Sequence, residues 1–497
     1  MIERMQPDTA TLQPDACYLA LQARDARFDG RFFIGVTSTG IYCRPVCKVR
    51  MPRRENCRYF GHAAQAESAG FRPCLRCRPE LAPHSIVWSI QDASYILAHQ
   101  AARLLDEPEA WGGSSPSVEQ LAARLGVSDR HVRRIFEAHF GVSPVQYLQT
   151  RRLLTAKQLL ADTDLPITQV ALISGYSSVR RFNAAFVEHY GMNPTRLRRE
   201  GAVPPAQGMA IRLGYRPPYD VPAMLGFFGK RAIAGVEVAD PVKGATARTV
   251  AIEAGGQMHK GWLVAEFDEP RHQLVLRVSD SLRPALPLVI HRIRAALDLD
   301  ADPSAINGVL HESFPQGDGL RVPGAMSGYE LAVRAVLGQQ ITVAAARTLA
   351  QRMVDRFGEP IETPFTHLTR LFPDASVLAR ASGDSLGQLG IVRQRQAAIV
   401  TIAQAVADKR LQLHGGADVQ PTLEALKALP GIGDWTAQYI AMRALRWPDA
   451  FPAGDVALHK ALGVQGQPNP ARAAQEASLA WKPWRSYAVI RAWAAMP

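Results

Sequence analysis

The placement of the cysteines constrains this chain more than any other feature. All six lie within the first 77 of 497 residues, so the last 420 contain no thiol and can form neither a disulfide nor a cysteine-held cluster. Four of them form two close pairs, Cys43 with Cys47 and Cys74 with Cys77. Two short chelating turns can close on one ion, and four thiolates suit tetrahedral zinc. A redox dithiol or free core cysteines are the alternatives, and Cys17 and Cys57 receive no role.

The residues around the pairs, TSTGIYCRPVCKVRMPRRENCRYF and AGFRPCLRCRPE, resemble the amino-terminal module of the Ada methylation-response regulators over about residues 14–81. The resemblance implies that Cys43 also accepts a methyl group, irreversibly, from a DNA methylphosphotriester. Zinc would both hold the module together and keep this sulfur as the nucleophilic thiolate. The resemblance also implies that Thr39 and Arg50 contact the DNA backbone, although an arginine on a basic turn can simply be solvated.

Charge points to the same partner. A formal net charge of +12 and a pI near 9.6 favour a polyanion, since each neutralised phosphate releases counterions. A merely basic soluble protein is the alternative. Four thiolates on a zinc dication carry a net charge of −2, and methylation of one leaves −1, so repulsion against phosphates is expected to fall.

An internal repeat organises the next part of the chain. LAARLGVSDRHVRRIFEAHFGVSP is echoed by VALISGYSSVRRFNAAFVEHYGMNP. Gly126 and Gly175 are 49 residues apart, whereas Gly141 and Gly191 are 50 apart. In each copy a short apolar helix ends at a glycine, a turn follows, and Ser128 or Ser177 is predicted to cap a second helix.

The second helix of each copy combines an apolar stripe with a polar face. The stripes are Val132, Ile135, Phe136 and Phe140, and then Phe182, Phe186 and Tyr190. The polar faces leave residues that can reach a major groove: Arg130, Arg133 and Arg134, and then Ser178, Arg180, Arg181 and Asn183. A helical packing repeat is the alternative. Residues 85–200 resemble the AraC-type DNA-binding domain, including its GYSS…F…F…G…P pattern, which implies two recognition helices and a role in transcription.

A hairpin lies near the carboxyl end. LKALPGIGDWTAQYIAMR is predicted to form a helix, a Pro-Gly-Ile-Gly turn and a second helix. Gly431 and Gly433 permit close backbone approach, and amide groups at the start of the second helix can hold a DNA phosphate. Downstream, FPAGDVALHKAL places Asp455 at the start of a helix, where an ordinary aspartate N-cap is the simplest role.

Residues 209–497 resemble the 3-methyladenine DNA glycosylase II family of the helix-hairpin-helix superfamily. The matching stretches include YRPPYDVPAMLGFF, GYELAVRAVLGQQITVAAA, LPGIGDWTAQYIAMRAL and FPAGD. The resemblance implies that Asp455 is the catalytic carboxylate. It assigns five residues to the base pocket, namely Phe227, Gln339, Trp435, Tyr439 and Trp493, and plain core packing is the alternative for the aromatic ones.

The implied chemistry is coherent. An alkylated purine is positively charged, so an electron-rich aromatic pocket attracts it once it has been flipped out of the duplex. A carboxylate then stabilises the oxocarbenium-like sugar and can orient water. No redox metal or nucleotide cofactor is needed.

Three features depart from related proteins. Bifunctional glycosylases carry a Schiff-base lysine where this chain has Trp435, so no lyase activity is expected. Gln340 stands where the resemblance expects a residue that wedges into the DNA gap, but it is polar where an apolar side chain would insert better. Because no cysteine follows Cys77, the chain lacks the alkylguanine methyltransferase of the longest Ada regulators.

The expected fold class is a multidomain, mainly α protein with α+β parts. Strand-like segments AIRLGYRP, GWLVAEFD and HQLVLRVS predict an antiparallel sheet before about residue 300, and the pattern is helical from about 325. The stretch EGAVPPAQG at 200–208 is predicted to separate two domains. The expected division is a zinc-binding methyl-acceptor module at 1–82, an AraC-type double helix-turn-helix at 85–200, an α+β glycosylase lobe at 209–300 and helical glycosylase lobes at 301–497.

We therefore expect a methylation-switched transcription activator that is also a glycosylase. Its expected partners are double-stranded DNA, damaged and promoter, and RNA polymerase. A regulator with an inactive glycosylase portion, or a glycosylase merely tethered by its amino-terminal modules, are the alternatives. The start MIERMQPDTATLQPDA lacks an apolar signal region and no run is long enough to span a bilayer, which predicts a cytoplasmic protein without a membrane partner. We also expect a bacterial, nucleoid-associated protein that acts as a monomer.

Overall fold

The chain divides into two compact units, each described below by itself. The computed structural model describes residues 13–84, 93–111, 116–201 and 209–496. The first unit holds the described residues within 1–106, 115–205 and 211–217, and the second holds those within 107–114, 206–210 and 218–497. Most of the predicted domain boundary at 200–208 lies outside the described residues. Nowhere in the described ranges is a helix long and apolar enough to cross a membrane.

The amino-terminal part of the first unit is built on a small sheet, which the sequence reasoning had not predicted. Its strands are β1 (Phe33–Val36), β2 (Ile41–Cys43), β3 (Cys57–Phe60) and β4 (Arg72–Pro73). β1 pairs antiparallel with β2 and β3, whereas β2 pairs parallel with β4, giving the order β3-β1-β2-β4. The helices α1 (Pro14–Ala23) and α2 (Ala63–Ser68) flank this sheet. Phe33, Tyr42 and Phe71 belong to its core.

Seven helices complete the described part of this unit. They are α3 (Ala93–Asp106), α4 (Val118–Leu125), α5 (Asp129–Phe140), α6 (Pro144–Asp162), α7 (Ile167–Ile173), α8 (Val179–Tyr190) and α9 (Pro194–Gly201). The pairs α4/α5 and α7/α8 are the two predicted helix-turn-helix units, and the long helix α6 lies between them in the chain. The predicted apolar stripes of α5 and α8 are buried, and Phe136 stacks on Phe140 at 4.4 Å between ring centroids.

The second helix of the first helix-turn-helix unit begins where the sequence predicted, and that of the second unit begins one residue later. Ser128 caps α5, as predicted, by accepting a hydrogen bond from the amide of His131 at 3.3 Å. The predicted cap Ser177 is wrong, because α8 starts one residue later and Ser178 accepts from the amide of Arg181 at 3.3 Å. The second turn contains one more residue than the first, which accounts for the change in repeat spacing from 49 to 50.

The second unit contains an antiparallel meander and a large set of helices. After β5 (Met209–Gly214), whose residues are shared between the units, the strands are β6 (Glu237–Asp240), β7 (Ala245–Ala254), β8 (Gln257–Asp268) and β9 (Gln273–Val278). Gly255 and Gly256 both have positive φ, +59° and +75°, and form the tight turn between β7 and β8. Three strands were predicted from the sequence, and β6 and β7 were missed.

Helices form the remainder of this unit, as the sequence predicted. They are α10 (Val221–Gly229), α11 (Leu286–Ala296), α12 (Pro303–Leu310), α13 (Gly328–Leu337), α14 (Val343–Phe357), α15 (Ala375–Leu378), α16 (Gly383–Gly387), α17 (Arg393–Ala407), α18 (Val419–Lys427), α19 (Asp434–Arg443), α20 (Val456–Ala461), α21 (Pro470–Ala477) and α22 (Arg485–Ala494). The helix α13 contacts both α17 and α19, and its core face includes Leu331, Ala332 and Val336. The chain is thus multidomain and mainly helical with small sheets, the predicted fold class.

Candidate metal centre, DNA-reading helices and base pocket

The parallel pairing of β2 with β4 brings the two cysteine pairs together. Tyr42 faces Pro73 across the two strands, and the amide of Cys74 donates to the carbonyl of Tyr42 at 2.9 Å. Cys43 and Cys74 therefore leave neighbouring strand ends. The tight turns that follow add Cys47 and Cys77, although 26 residues separate the two pairs in the sequence.

The four sulfurs form one compact cluster. All lie within 4.8 Å of one another, a spacing that suits four ligands around a single ion. Hydrogen bonds with Cys43 lower the pKa of both Cys47 and Cys74, whereas hydrogen bonding with Cys47 raises the pKa of Cys43 and burial raises that of Cys77. Binding of a dication to these four sulfurs would release the protons that they share. The cluster is the binding site for one zinc ion.

Cys17 and Cys57 lie apart from this cluster. Cys17 is buried with Leu21, Phe32 and Ile34, and Cys57 packs against that group. The thiol of Cys57 donates to the carbonyl of Arg53 at 3.4 Å. Burial raises the pKa of both thiols, as is typical of inert core cysteines.

The residues predicted to touch DNA from the first unit are solvent-accessible. Thr39 and Arg50 are exposed, and Thr39 lies in the turn between β1 and β2, where its hydroxyl donates to the carbonyl of Val36 at 3.3 Å. On α5 and α8 the exposed predicted residues are Arg130, Arg133, Arg134, Arg180, Arg181 and Asn183. Ser178 is half-buried, and its hydroxyl is engaged as the cap of α8.

The predicted hairpin is formed by α18 and α19. Gly431 has φ +77° in the turn, and Gly433 is the N-cap of α19. The side-chain amide of Gln339 donates to the carbonyl of Gly431 and to the hydroxyl of Thr436, both at 2.9 Å. Gln339 therefore braces the hairpin and is not among the residues that line the cavity. Gln340 is exposed with φ +56°, a conformation that side chains rarely adopt.

Asp455 is both a helix cap and part of the pocket. Its Oδ1 accepts a hydrogen bond from the amide of Leu458 at 2.7 Å, which caps α20. The same oxygen accepts from the indole N–H of Trp493 at 3.1 Å, and Oδ2 accepts from the indole N–H of Trp435 at 2.7 Å. Two pocket tryptophans thus fix the carboxylate from the cavity side.

The predicted aromatic residues surround one cavity of about 1050 Å³. It is lined by Phe227, Trp435, Tyr439, Trp493 and Asp455, among others. Trp435 and Tyr439 stack at 5.3 Å with 13° between their ring planes, and Trp493 lies 6.3 Å from Tyr439. The structure therefore brings together residues that are more than 250 positions apart in sequence.

Sequence reasoning missed two arginines on the same wall. Arg443 lies four residues after Tyr439 on α19, and its Nη1 donates to the phenol oxygen. Arg231 follows α10, and its guanidinium carbon lies 3.6 Å from the ring centre of Phe227. The four-residue spacing on one helix was a usable signal for Arg443. Arg231, in the run FFGKRA, carried none.

These sites define a class of protein: a four-cysteine metal module and a double helix-turn-helix joined to a helix-hairpin-helix glycosylase fold. Family comparison agrees along the chain. It matches the metal binding domain of Ada at residues 16–80, a helix-turn-helix domain at 121–200, the AlkA N-terminal domain at 210–327 and the HhH-GPD superfamily base excision DNA repair protein at 333–486. DNA is the partner that these folds share.

One relative resembles the chain over nearly its whole length. The chain is 38% identical over 492 residues to the probable bifunctional transcriptional activator/DNA repair enzyme AlkA of Mycobacterium tuberculosis, and the match covers 96% of each protein. The chain therefore belongs to the family of bifunctional activator/DNA repair enzymes of the AlkA type.

Two further relatives each match one half. DNA-3-methyladenine glycosylase 2 of Escherichia coli is 34% identical over 282 residues, which are 56% of this chain and 95% of that enzyme. The regulatory protein ada of Salmonella typhimurium is 33% identical over 192 residues, 39% of this chain and 51% of that protein.

Proposed function

We propose that the chain excises alkylated purine bases from duplex DNA as a monofunctional glycosylase. The observation that carries this proposal is the carboxylate of Asp455, held at the cavity wall by Trp435 and Trp493. As the glycosidic bond breaks, the sugar becomes oxocarbenium-like, and a fixed carboxylate stabilises that cation and orients the attacking water. The flipped base enters the aromatic cavity, and Trp435 in place of a lysine means that no lyase step follows.

The remaining glycosylase residues hold the DNA. The amides around Gly431 and Gly433 bind a phosphate at the start of α19. The exposed Gln340 enters the gap left by the flipped base. Gln339, assigned by resemblance to the base pocket, contributes through the hairpin that it braces.

We propose further that Cys43 accepts one methyl group from a DNA methylphosphotriester. A sulfur–carbon bond forms, the methyl–oxygen bond breaks, and a phosphodiester anion leaves. Among the described hydrogen bonds, the sulfur of Cys77 accepts a backbone N–H bond, from Arg44 at 3.3 Å. Such bonds stabilise a thiolate and weaken it as a nucleophile. Cys43 accepts no such bond among the described hydrogen bonds, which favours it over Cys77 as the acceptor.

Methylation then turns the protein into an activator. The proposed division of labour is methyl acceptance by residues 1–82, promoter reading by 85–200, and excision by the lobes at 209–300 and 301–497. Thr39 and Arg50 contact the DNA backbone, while the exposed residues of α5 and α8 read the promoter. RNA polymerase is the proposed partner of the promoter complex, and the protein acts as a monomer in the cytoplasm at the nucleoid.

Two assays of the zinc-loaded full chain test these proposals. Methylated duplex DNA should release 3-methyladenine, and absence of release would leave a regulator with an inactive glycosylase portion. After incubation with methylphosphotriester DNA, mass spectrometry should find one added methyl on Cys43, with the Cys57→Ser variant behaving identically. A methyl on Cys77 would overturn the acceptor assignment.

A further inference from the structure

The base cavity contains two guanidinium groups directed at one phenol. Arg443 donates to the phenol oxygen of Tyr439, while its other nitrogens donate to the carbonyls of Pro323 at 2.7 Å and Gly324 at 3.1 Å. Arg231 donates to the carbonyl of Phe227 at 3.1 Å, and its charge, like that of Arg443, acts on the phenol of Tyr439. The phenol therefore lies in the field of cations from two elements, the end of α19 and the segment after α10.

Neither arginine has a carboxylate partner among the described residues. A third cation near the phenol, Arg334, is paired with Glu237 at 2.6 Å and with Glu330 at 2.8 Å. The carboxylate on the cavity wall, Asp455, accepts its hydrogen bonds from two indoles and an amide. A buried charge without a counterion is costly. The two arginines therefore call for an anion on this side of the cavity, and none of the described carboxylates supplies it.

The acid group placed to supply that anion is Tyr439. Burial by itself raises the pKa of a phenol, but the charges of Arg443 and Arg231 outweigh it, and the pKa of Tyr439 lies below its usual value. Tyr42, Tyr190 and Tyr487 are buried, and burial holds their pKa values well above the usual value.

We propose that Tyr439 works as a phenolate held by Arg231 and Arg443, and that this anion makes the pocket selective for positively charged, N-alkylated purine bases. The phenolic proton passes to water and both guanidinium groups keep theirs. This inference rests on the proposed function, since it names the property of the base that the pocket recognises. Arg231 and Arg443 are positioning residues that act through the phenol.

The arrangement of the rings explains why the charge matters. Tyr439 stacks on Trp435, and the two rings form an aromatic wall that a flipped base can reach. Ionisation of Tyr439 increases the electron density of this wall, and an electron-rich ring attracts a cation more strongly. Phe227 has a different task, because Arg231 and Arg443 lie 3.6 Å and 4.8 Å from its ring centre. Phe227 stabilises the arginines, and the phenolate attracts the base.

Ultraviolet difference spectroscopy tests the ionisation without any enzyme assay. Across a pH series, subtraction of the Tyr439→Phe spectrum from that of the full chain should leave the band of one tyrosinate at pH values below the usual phenol pKa near 10. The matched control, Tyr487→Phe, removes a buried phenol outside the cavity and should leave no such band. Arg231→Met should abolish the band, and Arg231→Lys, which restores the positive charge, should recover part of it. A spectrum unchanged by Tyr439→Phe would overturn the proposal.

Single-turnover excision tests the selectivity. The probes are a duplex with 3-methyladenine, which is cationic, and a duplex with hypoxanthine, which is neutral. Tyr439→Phe should reduce the ratio of the two rates by about tenfold, and in the unsubstituted chain this ratio should rise as the pH passes the lowered pKa of Tyr439. An unchanged ratio would overturn the role of the phenolate in selectivity. If the unsubstituted chain excises neither base, the proposed function fails, and the spectrum alone then decides whether Tyr439 is ionised.

Discussion

At the scale of single residues, Asp455 combines an observed structural role, as the cap of α20, with the catalytic role that we propose for it. The cap bond to Leu458 fixes the carboxylate at the start of α20, and the indoles of Trp435 and Trp493 fix it from the cavity. Three donors converge on two oxygens. A group held this firmly needs little reorganisation when positive charge develops on the sugar, which is the condition for effective electrostatic catalysis.

We expect Asp455→Asn to lose excision and some stability. The amide removes the negative charge, and loss of one preorganised group of this kind costs on the order of a hundredfold or more in rate. An asparagine that keeps its oxygen towards Leu458 and Trp493 directs its own N–H₂ at the indole N–H of Trp435, so two donors face each other. This unsatisfied contact should cost about 1–3 kcal/mol. Single-turnover release of 3-methyladenine and a melting curve measure the two effects.

Asp374 provides the matched control. It caps α15 by accepting from the amide of Ser376 at 2.8 Å, and it does not line the cavity. Asp374→Asn should excise at the normal rate. If Asp455→Asn is folded and also retains most of its activity, the carboxylate is a cap only.

The cysteines give a second prediction at this scale. Because Cys17 and Cys57 pack in a separate core, their serine variants should keep one zinc per chain, whereas Cys74→Ser should lose zinc or bind it far more weakly. Metal analysis after dialysis measures the occupancy. Loss of zinc from Cys17→Ser or Cys57→Ser would show that the ligand set is wrong.

At the scale of elements, a buried polar contact joins α2 of the zinc module to α6. The carboxylate of Glu67 on α2 accepts from the hydroxyl of Tyr42 at 3.0 Å and from that of Thr150 at 2.9 Å. His189 lies 3.7 Å from the same carboxylate. Burial raises the pKa of Glu67 to about 7, in spite of these donors and the charge of Lys157.

This raised pKa predicts how the first unit responds to pH. Between the unfolded pKa near 4.5 and the folded pKa of about 7, the unfolded chain releases its proton while the folded chain retains it, so stability falls as the pH rises. Glu67→Gln removes the titration. At about pH 8 this variant should be more stable than the unsubstituted chain by on the order of a few kcal/mol, and the difference should shrink at lower pH.

Denaturant unfolding of the zinc-loaded chain over about pH 6 to 8 measures this effect. Glu137 on α5 is exposed, so Glu137→Gln is the control and should show no such trend. If the difference in stability between Glu67→Gln and the unsubstituted chain stays constant with pH, the pKa of this carboxyl is not raised.

Elements also show where sequence reasoning succeeded and where it stopped. The stripe from Val132 to Phe140 was predictable because helical periodicity is local, and so were the hairpin and the cysteine pairs. The strands β6 and β7 were missed because residues such as those of Glu237–Asp240 have little strand propensity of their own and form a strand by pairing with the next segment, β7. Arg231 was missed for a different reason, since it reaches the pocket from the segment after α10, more than 200 residues before Tyr439 in the sequence.

At the scale of the whole molecule, positive charge is distributed along the chain. Residues 1–200 carry 26 Lys and Arg against 19 Asp and Glu, an excess of +7, and the remainder carries 31 against 26, an excess of +5. The part of the chain with the proposed regulatory function and the part with the proposed excising function therefore both carry an excess of positive charge, which favours binding to DNA. General attraction cannot distinguish a promoter from other DNA, so a switch has to act through a local change of charge.

The methylation that we propose for Cys43 is such a local change, and we expect it to raise promoter affinity independently of excision. The zinc–thiolate cluster goes from −2 to −1, which weakens its repulsion of phosphates, and the gain should shrink at high salt because screening already suppresses the repulsion. The measurement is the promoter affinity of the methylated and the unmethylated protein, each determined across a salt series. Asp455→Asn protein should show the same gain, since its substitution lies in the other unit. Equal binding of both forms at low salt would rule out the switch, and a gain lost in Asp455→Asn would show that the two activities are coupled.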